Sequence, residues 1–399
     1  MGPGADEPHY LVITQSLIRD HDLAIENNHA RGDYREYFGG TLRPDFLQRG
    51  LGEVIYSIHA PGLPALLVPA YAAAGYTGAV VMLCLFAAFT AWAVFDLAWR
   101  LAGPAAAWLT WASVCLTVPF VPHSWLIFPE IPGALAVASA ARWLYAPLPA
   151  RARTWIGRGL VLATLPWLHT KFVILMAAMG GLLVLRVWRQ SRAAFALAAP
   201  MIVSVALWRY SFYRLYGVLD PQVPYGDFAK LNVLFSNIPR GVLGLMFDQK
   251  FGLLVYAPIY LLATTGCWMM TRGAAHRWFA LGLLATAGAF VASSTRLYMW
   301  WGGSSAPARF LVPVLPTSTL VRTLHAGPAG GTARVTVAGQ GRSVTLARDE
   351  TRDVAVPLSP ADRLVPVVVE APASFRPSDH EAGSTDRRWL GWQVRIGLR

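Results

Sequence analysis

The side chains able to do chemistry in this 399-residue chain fall in a few short clusters. Asp6-Glu7-Pro8-His9-Tyr10 stands near the start, and Phe128-Pro129-Glu130 separates two apolar runs. His169-Thr170-Lys171 separates two more, and Trp300-Trp301-Gly302-Gly303 leads on to Arg309. A carboxylate at a helix start is kept ionised by the helix dipole and so can accept a proton. Lys171 and Arg309 are cations of the kind that hold an anionic phosphate, and two glycines let backbone amides approach a ligand closely.

Each feature also has a structural reading. Asp6 precedes a helical pattern of Tyr10, Ile13, Leu17 and Ile18, with Pro8 in its first turn, so it serves equally well as an N-cap. Glu130 reads as a first-turn acid solvated at an interface, and Lys171 and Arg309 as cations snorkelling to lipid head groups. Tyr298, Trp300 and Trp301 suit an interfacial aromatic belt. His59, in His59-Ala60-Pro61-Gly62-Leu63-Pro64, has no His or acid at ligand spacing, so no metal is indicated. Residue type alone leaves these alternatives open.

The elements that must position these residues are helices in lipid. Hydrophobic residues make up 55% of the chain, charged ones 14%, and mean hydropathy is +0.42. A soluble domain of this length needs more charge to cover its surface. Apolar runs near bilayer length at 77–100, 104–122, 130–145, 155–169, 171–188, 193–213, 251–270 and 277–294 predict a polytopic α-helical membrane protein. A last run begins at Arg309 and fades near Val321. The net charge of +12 comes from arginines at the ends of these runs, which orient helices and exclude a nucleic-acid surface. Cys84, Cys115 and Cys267 lie inside apolar runs and read as small buried hydrophobes.

Arginines occupy every second connection: Arg100; then Arg142, Arg151, Arg153 and Arg158; then Arg186, Arg189 and Arg192; then Arg272 and Arg277. The positive-inside rule makes these connections cytoplasmic. Every chemistry-bearing cluster therefore falls on the opposite, outer face. Two outer segments are long, 1–64 and 214–250, the second carrying Tyr225-Gly226. Three regions follow: an outer loop with amphipathic helices over 1–64, a multi-spanning domain over 65–323, and a small soluble β-sandwich-like domain over 324–399. Within the tail, 333–346 reads as two alternating strands around Gly339 and Gly341, and 354–358, 364–370 and 393–396 add strand-like runs.

Taken in order, these motifs resemble the GT-C superfamily of membrane glycosyltransferases, in its bacterial mannosyltransferase-like branch related to protein O-mannosyltransferases and lipid A aminoarabinose transferases. Asp6-Glu7-Pro8-His9-Tyr10 looks like that superfamily's acidic first-loop motif, and Tyr56 to Pro64 like the His/Pro-rich segment ending the same loop. Phe128-Pro129-Glu130-Ile131-Pro132 looks like its acidic second outer loop. His169-Thr170-Lys171-Phe172 and Trp301-Gly302-Gly303 through Arg309-Phe310 look like positions that bind lipid phosphate. The resemblance implies Asp6 as base, with Glu7 and Glu130 assisting, and His9, Tyr10, His59, His169, Lys171, Tyr225, Trp301 and Arg309 as substrate-binding residues.

It further implies a polyprenyl-phosphate sugar donor, a lipid, glycan or protein acceptor, inversion at the sugar and no cofactor. The expected place is the bacterial inner membrane, among membrane lipids, with the active loops on the non-cytoplasmic side. The superfamily has a helix before its acidic loop and more helices after the Arg309 position, so the sequence corresponds to part of the family's length. Two other classes compete: a permease, and a non-catalytic scaffold that binds through its β tail. A permease needs ionisable groups within its spans and repeated halves. Here Asp96, near a cytoplasmic end, is the exception in otherwise largely uncharged spans.

Overall fold

A computed structural model describes residues 2–272 and 276–315, and the strands Gly331–Val337, Gln340–Leu346 and Val367–Glu370. The chain divides into two compact units, Met1–Arg322 and Thr323–Arg399.

The first unit begins with α1 (Glu7–Arg19), buried from Tyr10 through Ser16. Its polar residues are satisfied within the same lobe. Thr14 donates to Tyr10 O at 2.9 Å, Gln15 to Asp33 O at 3.1 Å, and Ser16 to Asp22 Oδ1 at 2.8 Å. Asp33 lies just after α2 (Glu26–Arg31), which Gly32 ends in the left-handed conformation at φ 71°. Arg19 and Arg31 close on Asp33 at 2.8 and 2.9 Å, locking this N-terminal lobe around α1.

The helical segment α3 (Gly62–Cys115) has 54 residues, about 80 Å if straight, whereas a bilayer core is about 30 Å thick. It is not straight. Backbone leaves helical geometry at Ala74, Gly75 and Gly103. The rings of Phe95 and Trp108 touch at 4.9 Å, although thirteen residues of straight helix would hold them about 20 Å apart. The chain therefore doubles back at Gly103, between the runs expected at 77–100 and 104–122.

After α4 (Phe120–His123), α5 (Glu130–Tyr145) packs on α3 and presents small residues inward. At Gly133 a Cβ would sit 2.7 Å from the Phe172 ring, so this glycine sets how closely α5 meets the start of α8 (Val173–Val187). The stretch between them is α6 (Ala152–Ala163) and the single turn α7 (Leu165–Leu168). At Gly159 in α6 a Cβ would meet Leu197 O of α9 (Ser191–Tyr216) at 2.4 Å.

The segment that follows folds into α10 (Gly226–Asn232), α11 (Ile238–Phe247) and α12 (Leu253–Tyr256). Two longer helices, α13 (Leu261–Arg272) and α14 (Arg277–Ser294), complete the unit. Among the described residues four helical stretches are long and apolar enough to cross a membrane: Gly62–Cys115, Thr170–Val187, Ser191–Tyr216 and Arg277–Ser294. Their outward faces carry bare apolar side chains such as Leu185, Phe195 and Ile202, each more than two-thirds exposed. Water does not tolerate such faces and lipid does. The chain is a polytopic helical membrane protein.

Two expected spans differ from the structure. The run at 251–270 is divided by Ala257 and a 3₁₀ turn at Pro258–Tyr260 into the single turn α12 and a helix from Leu261. The run at 104–122 stops as a helix at Cys115, whereas the run at 155–169 is α6 plus α7, short for a full crossing as its sequence length implies. The last run starts as a 3₁₀ turn at Arg309–Leu311, and from 316 onward it lies outside the described residues.

In the second unit β1 (Gly331–Val337) pairs antiparallel with β2 (Gln340–Leu346) and β3 (Val367–Glu370), in the order β2-β1-β3. The hairpin register brings Val337 opposite Gln340, at the place where the glycine-spaced strands were expected. The runs at 354–358 and 393–396, on which a sandwich depends, lie outside the described residues.

Candidate functional site

Four chain segments far apart in sequence converge on Arg309. Its Nη1 donates to Asp6 Oδ2 at 2.8 Å and to Gly302 O at 3.2 Å, and its Nε donates to Glu130 Oε1 at 2.8 Å. The guanidinium lies 3.9 Å over the Phe128 ring. Lys171 Nζ stands 3.6 Å from the same Glu130 oxygen and 3.5 Å over the Phe310 ring. Two carboxylates and two cations thus form one chain, each cation backed by an aromatic face.

Local backbone makes this possible. Gly302, Gly303 and Ala308 take φ of 84°, 75° and 54°, curling the segment so that Arg309 turns back over Gly302. A Cβ on Gly302 would sit 3.2 Å from Arg309 Cδ, and the left-handed backbone there favours glycine. Glu130 opens α5 directly after Pro129 and is fully buried. Lys171 lies in a 3₁₀ turn whose N–H is accepted by His169 Nδ1 at 3.3 Å, so His169 orients the turn that presents Lys171. Burial, and next the charge of Lys171, hold His169 neutral, well below the usual histidine range.

Asp6 occupies the N-cap position of α1, yet its side chain makes no cap hydrogen bond and goes to Arg309 instead. It also keeps 37% of its side chain exposed, while Glu130 is sealed at 0%. Of the two carboxylates on Arg309, only Asp6 can meet an incoming molecule. Burial opposes the charge on Arg309, but Glu130 and Asp6 outweigh it and push its pKa further up, so the guanidinium is a permanent cation.

The other expected residues are spread around this chain. Glu7 is committed to backbone: it accepts from Gly4 N–H at 2.9 Å and Ile127 N–H at 2.8 Å, pinning α1 to the turn that carries Glu130. Burial raises its pKa, and those two N–H groups partly restrain the rise. His9 stacks on His59 at 5.7 Å, Tyr10 meets His59 at 4.6 Å, and His59 Nε2 is 3.0 Å from Asp45 Oδ2. Burial, and then His59, bring His9 down to about 4.

Tyr225 lines a separate groove with His59, Trp167, Thr170, Trp208 and Tyr216, with a cavity volume of about 70 Å³. Burial pushes its phenol up to about 12. Trp301 packs on Trp300 at 5.6 Å and touches the cluster only through its neighbour Gly302. Among the described residues no three His, Cys, Asp or Glu side chains gather as a metal site requires.

Two contributors, Asp45 and His123, carried no sequence signal. Asp45 belongs to the site only through its contact with His59. His123, fully buried with Nδ1 2.8 Å from Pro119 O, lies close enough to feel Glu130, though burial brings it down to about 4. Phe310 was a motif neighbour with no expected cation above it. Lys171 Nζ, Glu130 Oε2 and His123 Nε2 all lack a hydrogen-bond partner, an unusual concentration for buried polar atoms.

No protein-family model matches the chain, and no curated protein matches it. Two similar solved structures are both of ArnT from Cupriavidus metallidurans. The form bound to undecaprenyl phosphate is 17% identical with a TM-score of 0.51, covering 80% of this chain and 55% of that one. The apo form is 17% identical with a TM-score of 0.45, covering 80% and 54%. The chain thus spans about half the length of ArnT, at 55%. Over 80% of its own length the chain shares the fold of ArnT.

Proposed function

We propose that this protein is a membrane glycosyltransferase that moves a sugar from a polyprenyl-phosphate donor to a hydroxyl of a lipid, glycan or protein acceptor on the non-cytoplasmic face, with inversion. The observation that carries this reading is the Asp6–Arg309–Glu130–Lys171 chain, with one accessible carboxylate at its rim. Asp6 takes the acceptor hydroxyl proton as the oxygen bonds to the anomeric carbon, while the bond from that carbon to the phosphate oxygen breaks. The leaving group departs as a phosphate anion and needs no general acid.

The charges support this direction. Asp6 and Glu130 balance Arg309 and Lys171 in the resting cluster. Once Asp6 holds a proton the cluster carries one net positive charge, matching the phosphate charge released in the same step. Lys171, 3.6 Å from Glu130, adds positive charge behind Arg309 that stabilises the departing phosphate from within the cluster. The groove beside Tyr225 has an apolar wall of Ile13, Leu23, Phe212 and Leu215, fit for an isoprenoid chain. ArnT has been crystallised with undecaprenyl phosphate, which favours a lipid of this class.

The test is transfer by membranes carrying the full chain, offered a panel of polyprenyl-phosphate sugars. Asp6→Asn keeps a partner for Arg309 but cannot take the proton, so turnover should fall about 10²–10⁴-fold with insertion unchanged. Wild-type turnover in that variant would remove Asp6 as the base.

A further inference from the structure

The opposite end of α5 from Glu130, about 18 Å away at Arg142, carries a second concentration of charge that the proposed reaction does not use. Four arginines meet there with one acid. Asp96 accepts from Arg100 at 2.8 Å and from Arg142, and the Arg142 guanidinium lies 4.3 Å over Trp92. Arg186 donates to Trp143 O and, at 2.6 Å, to Ala146 O. Arg158 lies between Trp155 and Trp143, 4.6 and 5.3 Å from their rings, and close enough to Arg186 and Arg142 to be repelled by both.

Among the described residues neither Arg158 nor Arg186 has a carboxylate partner, and Arg158 Nη1 is buried with no hydrogen bond. Stacked aromatics hold Arg158 against this repulsion, which prevents it from relaxing into solvent. A guanidinium fixed in this way, with an unused fork beside other cations, matches a phosphate. At the end of a helix bundle bordered by exposed Trp92 and Trp99, the phosphate in reach is that of a membrane lipid.

We propose that Arg158, with Arg186 and Arg142, forms a binding site for the phosphate of an anionic glycerophospholipid in the leaflet opposite the Asp6 cluster. The site does not depend on the glycosyltransferase reading, since none of its residues belongs to that cluster.

Delipidated full-length protein in detergent should retain added phosphatidylglycerol over phosphatidylcholine by about tenfold in native mass spectrometry. Arg158→Gln should abolish that preference. Arg189→Gln, which removes an arginine stacked only on its own neighbour Trp188, should keep it. Should the glutamine variant not fold, Arg158→Lys decides alone: charge remains but the fork is lost, and retention should fall several-fold. Unchanged preference in the Arg158 variant overturns the site. Displacement of the lipid by millimolar inorganic phosphate would overturn it too, by showing a pocket for a soluble anion.

Discussion

Arg309 holds two carboxylates with one guanidinium, and only a fork can do so. Removing it leaves Glu130 buried beside Lys171 alone. Breaking a buried pair from one side costs about 3–5 kcal/mol, mostly from the uncompensated charge. Arg309→Met should lower unfolding stability in detergent by that order. The double variant with Glu130→Gln should cost clearly less than the two singles added together; simple additivity would show that the pair is not coupled.

His9 makes a second prediction at this scale. Its folded pKa of about 4 lies below the ordinary 6.5, so its contribution to stability is present above pH 6.5 and is lost as pH falls toward 4. Burial is the chief cause, His59 adds repulsion, and Asp45 opposes it. Melting temperature measured from pH 7 down to 4.5 should therefore drop more steeply in wild type than in His9→Gln. Equal slopes would dismiss this histidine as the source.

Asp6, Glu130, Lys171 and Arg309 were legible in the sequence because charge is costly next to apolar runs and so stands out. Glu7 stood out equally, and its turn toward backbone N–H groups could not be read from spacing. Asp45 and His123 were silent, since a pairing made only by tertiary path leaves no local pattern.

At the scale of elements, glycines and prolines decided where hydropathy was right. The boundary near Arg100 was visible in the sequence, and Gly103 at φ 83°, ψ −176° is the residue that makes the reversal. That region is open almost only to glycine. Gly103→Ala should destabilise the protein by about 1–3 kcal/mol, read by thermal unfolding, with Gly157→Ala as a control in open space. An equal and small effect at both positions would mean that the reversal does not need its glycine. The run at 251–270 failed for the converse reason. A window average counts Leu, Val and Tyr but does not register that Pro258 interrupts the hydrogen-bond ladder.

At the scale of the whole molecule, the arginine alternation and the converged cluster make a joint prediction about sides. The loops carrying Thr170 and Ser304 flank one site, so cysteines placed there should react with impermeant reagent from the non-cytoplasmic side alone. Labelling of either from the cytoplasm would separate residues that the structure joins through Glu130, Lys171 and Arg309. The helical character of the first unit was legible from composition, and arginine placement supplied the expectation of sides that the labelling tests. The order in which outer segments close on one another was not, because it depends on contacts spanning nearly the whole unit.

The bond between Asp6 and Arg309 joins positions 303 residues apart. A ribosome adding about 5–20 residues per second makes the second partner roughly 15–60 s after the first. For that interval Glu130 enters its place with Lys171 as its only cation, and Asp6 has none. Assembly of this centre is therefore a late event in the birth of the protein, and a polypeptide released before Arg309 would carry a buried carboxylate without its strongest partner. The same contact that arranges the charges thus also sets the moment at which the two acids become paired.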